Sequence, residues 1–245
     1  MILACAQTKP KRENIDENLI DHYRLIQMAS DYGAELIVFP EMSISGYERE
    51  KAASLAFTPK DARIEPLISL AVEKKITIIA GAPIKVGTEM FIGEFILQPD
   101  GSVLIYTKQF LHPGEEEYYT SSFDFNPKIN LANERISFSI CADIDHPLHA
   151  ENAKRADATL YISSLFFSPQ GIPSAHKALS GYAKKHAMNV LMSNFSGETW
   201  GKPSGGRSAF WSNNGHLVVS MNDCDSGLII VEKKKDQWSG QVIID

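Results

Sequence analysis

The sequence predicts an α/β fold whose strands are sorted into two facing sheets, and three observations carry that expectation. Apolar residues alternate along the chain between the two-residue period of strands and the longer period of helices. Hairpin signals punctuated by Pro, Asp, Asn and Gly stand beside strand–helix–strand units. In addition, "DYGAELIVFPE" and "KRADATLYISS" echo one another, each leaving a helix through a small-residue turn and entering a buried strand. Two similar αβ halves packed sheet to sheet account for all three.

Each element has its own signal. "ILACAQT" reads as a strand, and Asn14 caps an amphipathic helix from Ile15 to Tyr32 that Gly33 stops. "ELIVF" is short and almost wholly apolar, as expected of a strand covered on both faces. A helix from Asp61 to Lys74 leads into "ITIIAGA". "FIGEFILQ" and "SVLIYTK" form a hairpin through Pro99-Asp100-Gly101. The strand "RISFSI" ends at Cys141; a helix from Pro147 to Arg155 leads into "ATLYISS", and one from Ser174 to His186 into "NVLMSNF". The tail is β-rich, with "SAFW" and "HLVVS" joined by Asn213-Asn214-Gly215 before "GLIIVE". No long linker interrupts the pattern, so residues 1–245 are read as a single domain.

Composition narrows the function. A net charge of −6 without a basic patch argues against nucleic-acid binding, which needs clustered Lys and Arg. The one tight basic run, Lys233-Lys234-Lys235, reads as a solvated edge. No apolar run approaches the roughly 18 residues of a membrane span. Three cysteines, at 5, 141 and 224, are too few and too scattered for a disulfide framework, which points to a reducing cytoplasm and free thiols.

Three residues sit where open α/β sheets gather ligands, directly after apolar strands: Glu41 in "LIVFPEMSISGY", Lys108 in "LIYTKQFLHPGEEEYY" and Cys141 in "RISFSICAD". Singly, each has an ordinary reading: a solvated carboxylate, a snorkelling lysine, a small buried hydrophobe. The last is assigned to Cys5, while Cys224 has no evident partner. Together they supply a base, a cation and a nucleophile. Asp143, Asp145, His146 and His149 are possible metal ligands, but the usual His spacings of zinc enzymes are missing. Cys141 paired with His176 or His186 is a protease-like alternative without its local signature.

"VFPEMSISGY", "YTKQFLHPGEEEYY" and "ICADIDHP", in this order, resemble the three signature regions of the nitrilase superfamily, the carbon–nitrogen hydrolases. "AENAKRADATLYISS", "MSNFSG" and "SGGRSAFWSNNGHLV" are similar to later family segments. The resemblance implies a four-layer α-β-β-α sandwich, a Glu-Lys-Cys triad at Glu41, Lys108 and Cys141, and assembly as a homodimer or larger homo-oligomer. A supporting glutamate of the family matches Glu115, with Glu116 and Glu117 as alternatives one or two positions away.

The chemistry that follows is hydrolysis of a small-molecule amide without a metal or organic cofactor. Glu41 takes the Cys141 proton as sulfur attacks, and Lys108 with the Ala142 backbone N–H holds the oxyanion. Water then cleaves the thioester. Nitrile hydrolysis, amide synthesis and a non-catalytic metabolite-binding role are the rival readings. Family members often read C-Y-D-L-R-F-P after the cysteine, and here Asp145 replaces the arginine that commonly serves substrate carboxylates. A substrate neutral or cationic at that end is therefore expected, unless another residue such as Arg207 supplies the charge. Phe166 and Phe167 in "SSLFFSPQG" are candidate pocket walls; Trp200 and Trp211 read equally as core or interface residues.

Overall fold

A computed structural model describes residues 1–245. The first part of the chain runs β1 (Ile2–Gln7), α1 (Ile15–Asp31), β2 (Leu36–Val38), α2 (Ala52–Leu55), α3 (Glu65–Lys74), β3 (Thr77–Val86), β4 (Glu89–Leu97) and β5 (Val103–Thr107). It continues through β6 (Ile129–Leu131), β7 (Glu134–Ile140), α4 (Pro147–Arg155), β8 (Leu160–Leu165), α5 (Ile172–His186) and β9 (Asn189–Asn194). The tail holds β10 (Glu198–Thr199), β11 (Lys202–Pro203), β12 (Ala209–Trp211), β13 (Leu217–Ser220), β14 (Gly227–Lys234) and β15 (Gln237–Ile244).

Apolar alternation sorts these elements into four layers. One sheet has the order β15-β14-β1-β2-β3-β4-β5, the other β13-β12-β9-β8-β7-β6. Their inner faces share a core to which Leu3, Val38, Ile79 and Ile92 contribute from the first sheet and Phe138, Ile162, Leu191 and Phe210 from the second. The alternate residues Ile37, Ile78 and Phe95 face outward and pack with Leu25, Ile26 and Leu67 of α1 and α3. On the far side Tyr161, Val190 and Met192 pack with Ala150, Ala175 and Leu179 of α4 and α5. The α-β-β-α expectation holds.

The sequence echo has a structural counterpart. β2 is the middle of three parallel strands, β1-β2-β3, and β8 is the middle of β7-β8-β9. Asn14 caps α1 as expected, its side chain accepting the Glu17 N–H at 3.1 Å. The helix expected from Asp61 to Lys74 is in two pieces: a 3-10 turn at Ala62–Ile64, then α3, with Pro66 in its first turn. The last long helix begins at Ile172, two residues before Ser174, because Pro173 suits a first turn whose N–H groups need no helical partner.

Candidate active site

Three strand ends of two sheets meet over one hollow. After β2, Phe39 still pairs with β3 (N–H to Ile79 O, 2.9 Å), then Pro40 ends the ladder and the chain turns at Glu41 and Met42. Met42 takes a left-handed φ of 50°. This turn lies against Gly81 of β3, where a Cβ would come within 2.5 Å of the Met42 nitrogen, so only glycine fits. Past β5, Lys108 opens the loop that leads to Glu115. Past β7, Cys141 begins a 3-10 turn, Cys141–Asp145, with φ of 45°, a conformation uncommon for a side chain with a Cβ.

Asp143 fixes two of these ends to each other. One carboxylate oxygen accepts the N–H groups of Gln109 (3.0 Å) and Phe110 (2.8 Å), just after Lys108. The other accepts the Ile140 N–H (2.9 Å) and the Tyr106 hydroxyl (2.6 Å). Asp143 is thus a buried anchor between the Lys108 and Cys141 segments. His149 bridges the Tyr106 and Tyr161 hydroxyls at 2.8 and 2.7 Å, whereas Asp145 and His146 are exposed. The four residues weighed as metal ligands therefore do not converge on one point.

The predicted Glu and Lys do converge. Lys108 is fully buried, and its Nζ donates to Glu41 Oε1 at 2.8 Å and Glu115 Oε1 at 2.9 Å. Glu115 is the buried member of its run, while Glu116 and Glu117 are exposed. It also accepts the Tyr47 hydroxyl at 2.6 Å and the His112 N–H at 2.7 Å, and Arg49 Nε donates to the Tyr47 oxygen at 2.7 Å. Tyr47 and Arg49 were not singled out in the sequence. Their only signal there is closeness to Glu41.

Cys141 is 8% exposed and opens onto a cavity of about 390 Å³. Glu41, Glu115, Tyr47, Phe166 and Phe167 line it as well, with Arg49, Asp145, Trp200 and Lys202. The Ala142 N–H is among the first donors of the 3-10 turn, where the turn itself offers no partner. Cys141 Sγ lies 3.6 Å from the Phe166 carbonyl. Arg207 lines a different hollow, and neither His176 nor His186 borders the Cys141 cavity, which removes the Cys–His pairing. Cys5 is sealed in the core with its thiol on the Met192 carbonyl at 3.0 Å, and burial pushes it up to about 12.

Electrostatics are set by burial first. It raises the Glu41 carboxyl; the Lys108 charge opposes this, Glu115 adds to it, and the net position is about 7. Burial also pushes the Cys141 thiol well above its ordinary range, helped by Glu41. For Lys108 burial favours the neutral amine, but the carboxylates of Glu41 and Glu115 outweigh it and hold the ammonium. The resting site therefore contains an ammonium, an un-ionised thiol and a carboxyl poised between its two forms.

The profile described as carbon–nitrogen hydrolase matches residues 2–239. A protein named nitrilase from Pyrococcus abyssi (strain GE5 / Orsay) is 24% identical over 242 residues, spanning 94% of this chain and 88% of that one. Among solved structures, an amidase from Nesterenkonia sp. AN1 superposes with a TM-score of 0.84 at 21% identity, covering 96% of this chain and 94% of the other. A second structure of that amidase, in complex with butyramide, gives a TM-score of 0.84 at 20% identity over 96% and 92% of the two chains.

Proposed function

The chain belongs to the carbon–nitrogen hydrolase family, and from that premise we propose that it is a thiol amidohydrolase cleaving a non-peptide C–N bond of a small molecule. The observation that carries the reading is the meeting of Glu41, Lys108 and Glu115 beside a cysteine, Cys141, that opens onto the same cavity as Glu41 and Glu115. Support also comes from the Nesterenkonia amidase, whose active-site cysteine carries an acrylamide adduct in one structure. Amide hydrolysis is preferred to nitrile hydrolysis because sulfur attack on an amide builds an oxyanion at once, which an ammonium and a backbone N–H are suited to hold, whereas attack on a nitrile first builds charge on nitrogen.

The steps follow from the protonation states. With Cys141 held as a thiol, its proton passes to ionised Glu41 as sulfur attacks the amide carbon. The carbonyl π electrons move onto oxygen, which Lys108 Nζ and the Ala142 N–H stabilise. Collapse of this intermediate breaks the C–N bond, and Glu41 returns its proton to the departing amine. Water, deprotonated by the same carboxylate, then attacks the thioester and releases the acid and the free thiol. Glu115 keeps the Lys108 ammonium in place throughout, so it is a positioning residue. Three free cysteines suit residence in a reducing cytoplasm, and no helix is long and apolar enough to cross a membrane.

The test is a panel of small amides, carbamoyl compounds and nitriles, read by ammonia release and by the mass of Cys141. Acylation of Cys141 with turnover is the expected result. Cys141→Ser should lower turnover by about three orders of magnitude or more while leaving the fold intact, since hydroxyl and thiol differ little in size. A folded protein that binds members of the panel without adduct or turnover would establish the metabolite-binding alternative.

A further inference from the structure

The cavity over Cys141 holds two cations that hydrolysis itself does not use. Arg49 is buried; its Nε and Nη1 donate to the Tyr47 hydroxyl and the Pro113 carbonyl at 2.7 and 3.1 Å. Its Nη2 has only a long contact of 3.4 Å to His112 Nδ1. Lys202, exposed on the two-stranded ribbon β10–β11, lines the same cavity. Neither cation forms an ion pair. Both lie over one ring: the Arg49 guanidinium is 4.3 Å and the Lys202 ammonium 4.6 Å from the Trp200 centroid.

Two like charges gathered at one indole repel one another. Glu115, Glu41 and the neighbouring Glu50 favour the Arg49 charge from a distance, but none of them bonds its guanidinium directly, and its Nη2 edge is left without a close acceptor. The ring's face offsets a part of this. An anion seated beside them offsets the rest, and the free edge of a guanidinium is shaped for a carboxylate. The acids in the lining do not supply it. Glu41 and Glu115 are tied to Lys108, and Asp145 stands exposed on the turn after Cys141. Glu50 accepts the Trp200 Nε1 proton at 3.2 Å but does not line the cavity.

We propose that the substrate is a small amide carrying a carboxylate remote from its scissile carbonyl, and that Arg49 and Lys202 hold that carboxylate beside Trp200. The proposal rests on the hydrolase reading of this site. It reverses the expectation drawn from Asp145, because the cations that serve the carboxylate come from the loop after Glu41 and from the β10–β11 ribbon, not from the turn after the nucleophile. A cavity of about 390 Å³ is at the small end for ligand sites and suits a compact metabolite.

Three amides of equal chain length, ending in a carboxylate, a methyl group or an ammonium, test this through kcat/KM and the acyl adduct on Cys141. The carboxylate amide should be favoured. Lys202→Gln should lower its kcat/KM relative to the methyl amide on the order of tenfold, through KM, as expected for loss of one charge-assisted contact. Lys202→Glu should move the preference toward the ammonium amide. A wild-type preference for the methyl or ammonium amide, or an unchanged ratio in Lys202→Gln, overturns the specificity while leaving the hydrolase reading standing. Failure of all three amides to acylate Cys141 overturns the specificity, and absence of adduct and turnover across the wider panel as well removes both.

Discussion

Glu41 shows how one side chain acquires a task from its surroundings. An exposed glutamate would be fully ionised at neutral pH and a weak base; burial beside Glu115 lifts this one to about 7 despite the Lys108 charge. In the proposed mechanism Glu41 must be ionised to accept the thiol proton, so kcat/KM for amide hydrolysis should rise with pH through a limb centred near 7. A pH–rate profile whose acid limb lies near 4.5, the ordinary position of such a carboxyl, contradicts this assignment. Strand ends made the residues at 41, 108 and 141 candidates, each with an ordinary reading of its own, and it was the resemblance of their flanks to the three family signature regions that grouped them as a proposed triad. Glu115 was legible only as one of three, since a run of identical residues carries no periodicity to say which one turns inward. Asp143 was weighed and set aside as a metal ligand, and its anchoring role went unseen, because a sequence does not distinguish a carboxylate aimed at a metal from one that accepts backbone N–H groups. Arg49 and Trp200 reach the site from loops and were legible hardly at all.

Secondary-structure elements contribute through their ends and through how closely those ends are pinned. Gly81→Ala places a methyl group against the Met42 backbone and must displace the turn that carries Glu41. Overpacking of this kind typically costs about 1–3 kcal/mol, so the variant should remain folded but lose most of its amide turnover. Paired thermal melts and kinetics check this; full activity would mean that the turn's position is not critical. Asp143→Asn should cost more. One of its two acceptors becomes an NH₂ group facing either a pair of backbone N–H donors or Ile140 N–H and the Tyr106 hydroxyl, and breaking such a buried charged contact costs about 3–5 kcal/mol. Denaturant melts measure it, and a loss below about 1 kcal/mol would refute the anchoring role. The strands beside these ends were readable from continuous apolar runs. By contrast β15, "QWSGQVII", was missed because this edge strand stays largely accessible and its polar residues blur the alternation. The three-residue β6 was too short to show a period at all.

Across the whole molecule, the sheet-to-sheet interior contains one carboxyl that neither the core nor the proposed chemistry accounts for. Glu94 of β4 lies opposite Tyr106 in the ladder and is 1% exposed, and neither of its oxygens has a hydrogen-bond partner. Burial pushes it up to about 8; the nearby Ser164 hydroxyl opposes this, while the charges of Asp143 and Glu41 reinforce it. The folded chain thus keeps a proton that the unfolded chain gives up near 4.5, so this contribution is greatest below that pH and is lost as pH rises toward 8. Glu41 acts in the same sense up to about 7. His22 acts oppositely: burial, only partly offset by its bond to the Asn18 carbonyl, lowers it from 6.5 to about 4, so the fold gains stability as pH rises across that interval. The carboxyls and the histidine therefore offset one another below 6.5 and the carboxyls alone act above it. Thermal melts of the wild type should show Tm falling between pH 6.5 and 8, and Glu94→Gln should flatten most of that fall. The slope is the quantity to compare, since a glutamine amide is also left unpaired there and shifts the absolute Tm for its own reasons. Parallel slopes in the two proteins would show that Glu94 titrates like a solvated carboxylate, which its place between the sheets forbids.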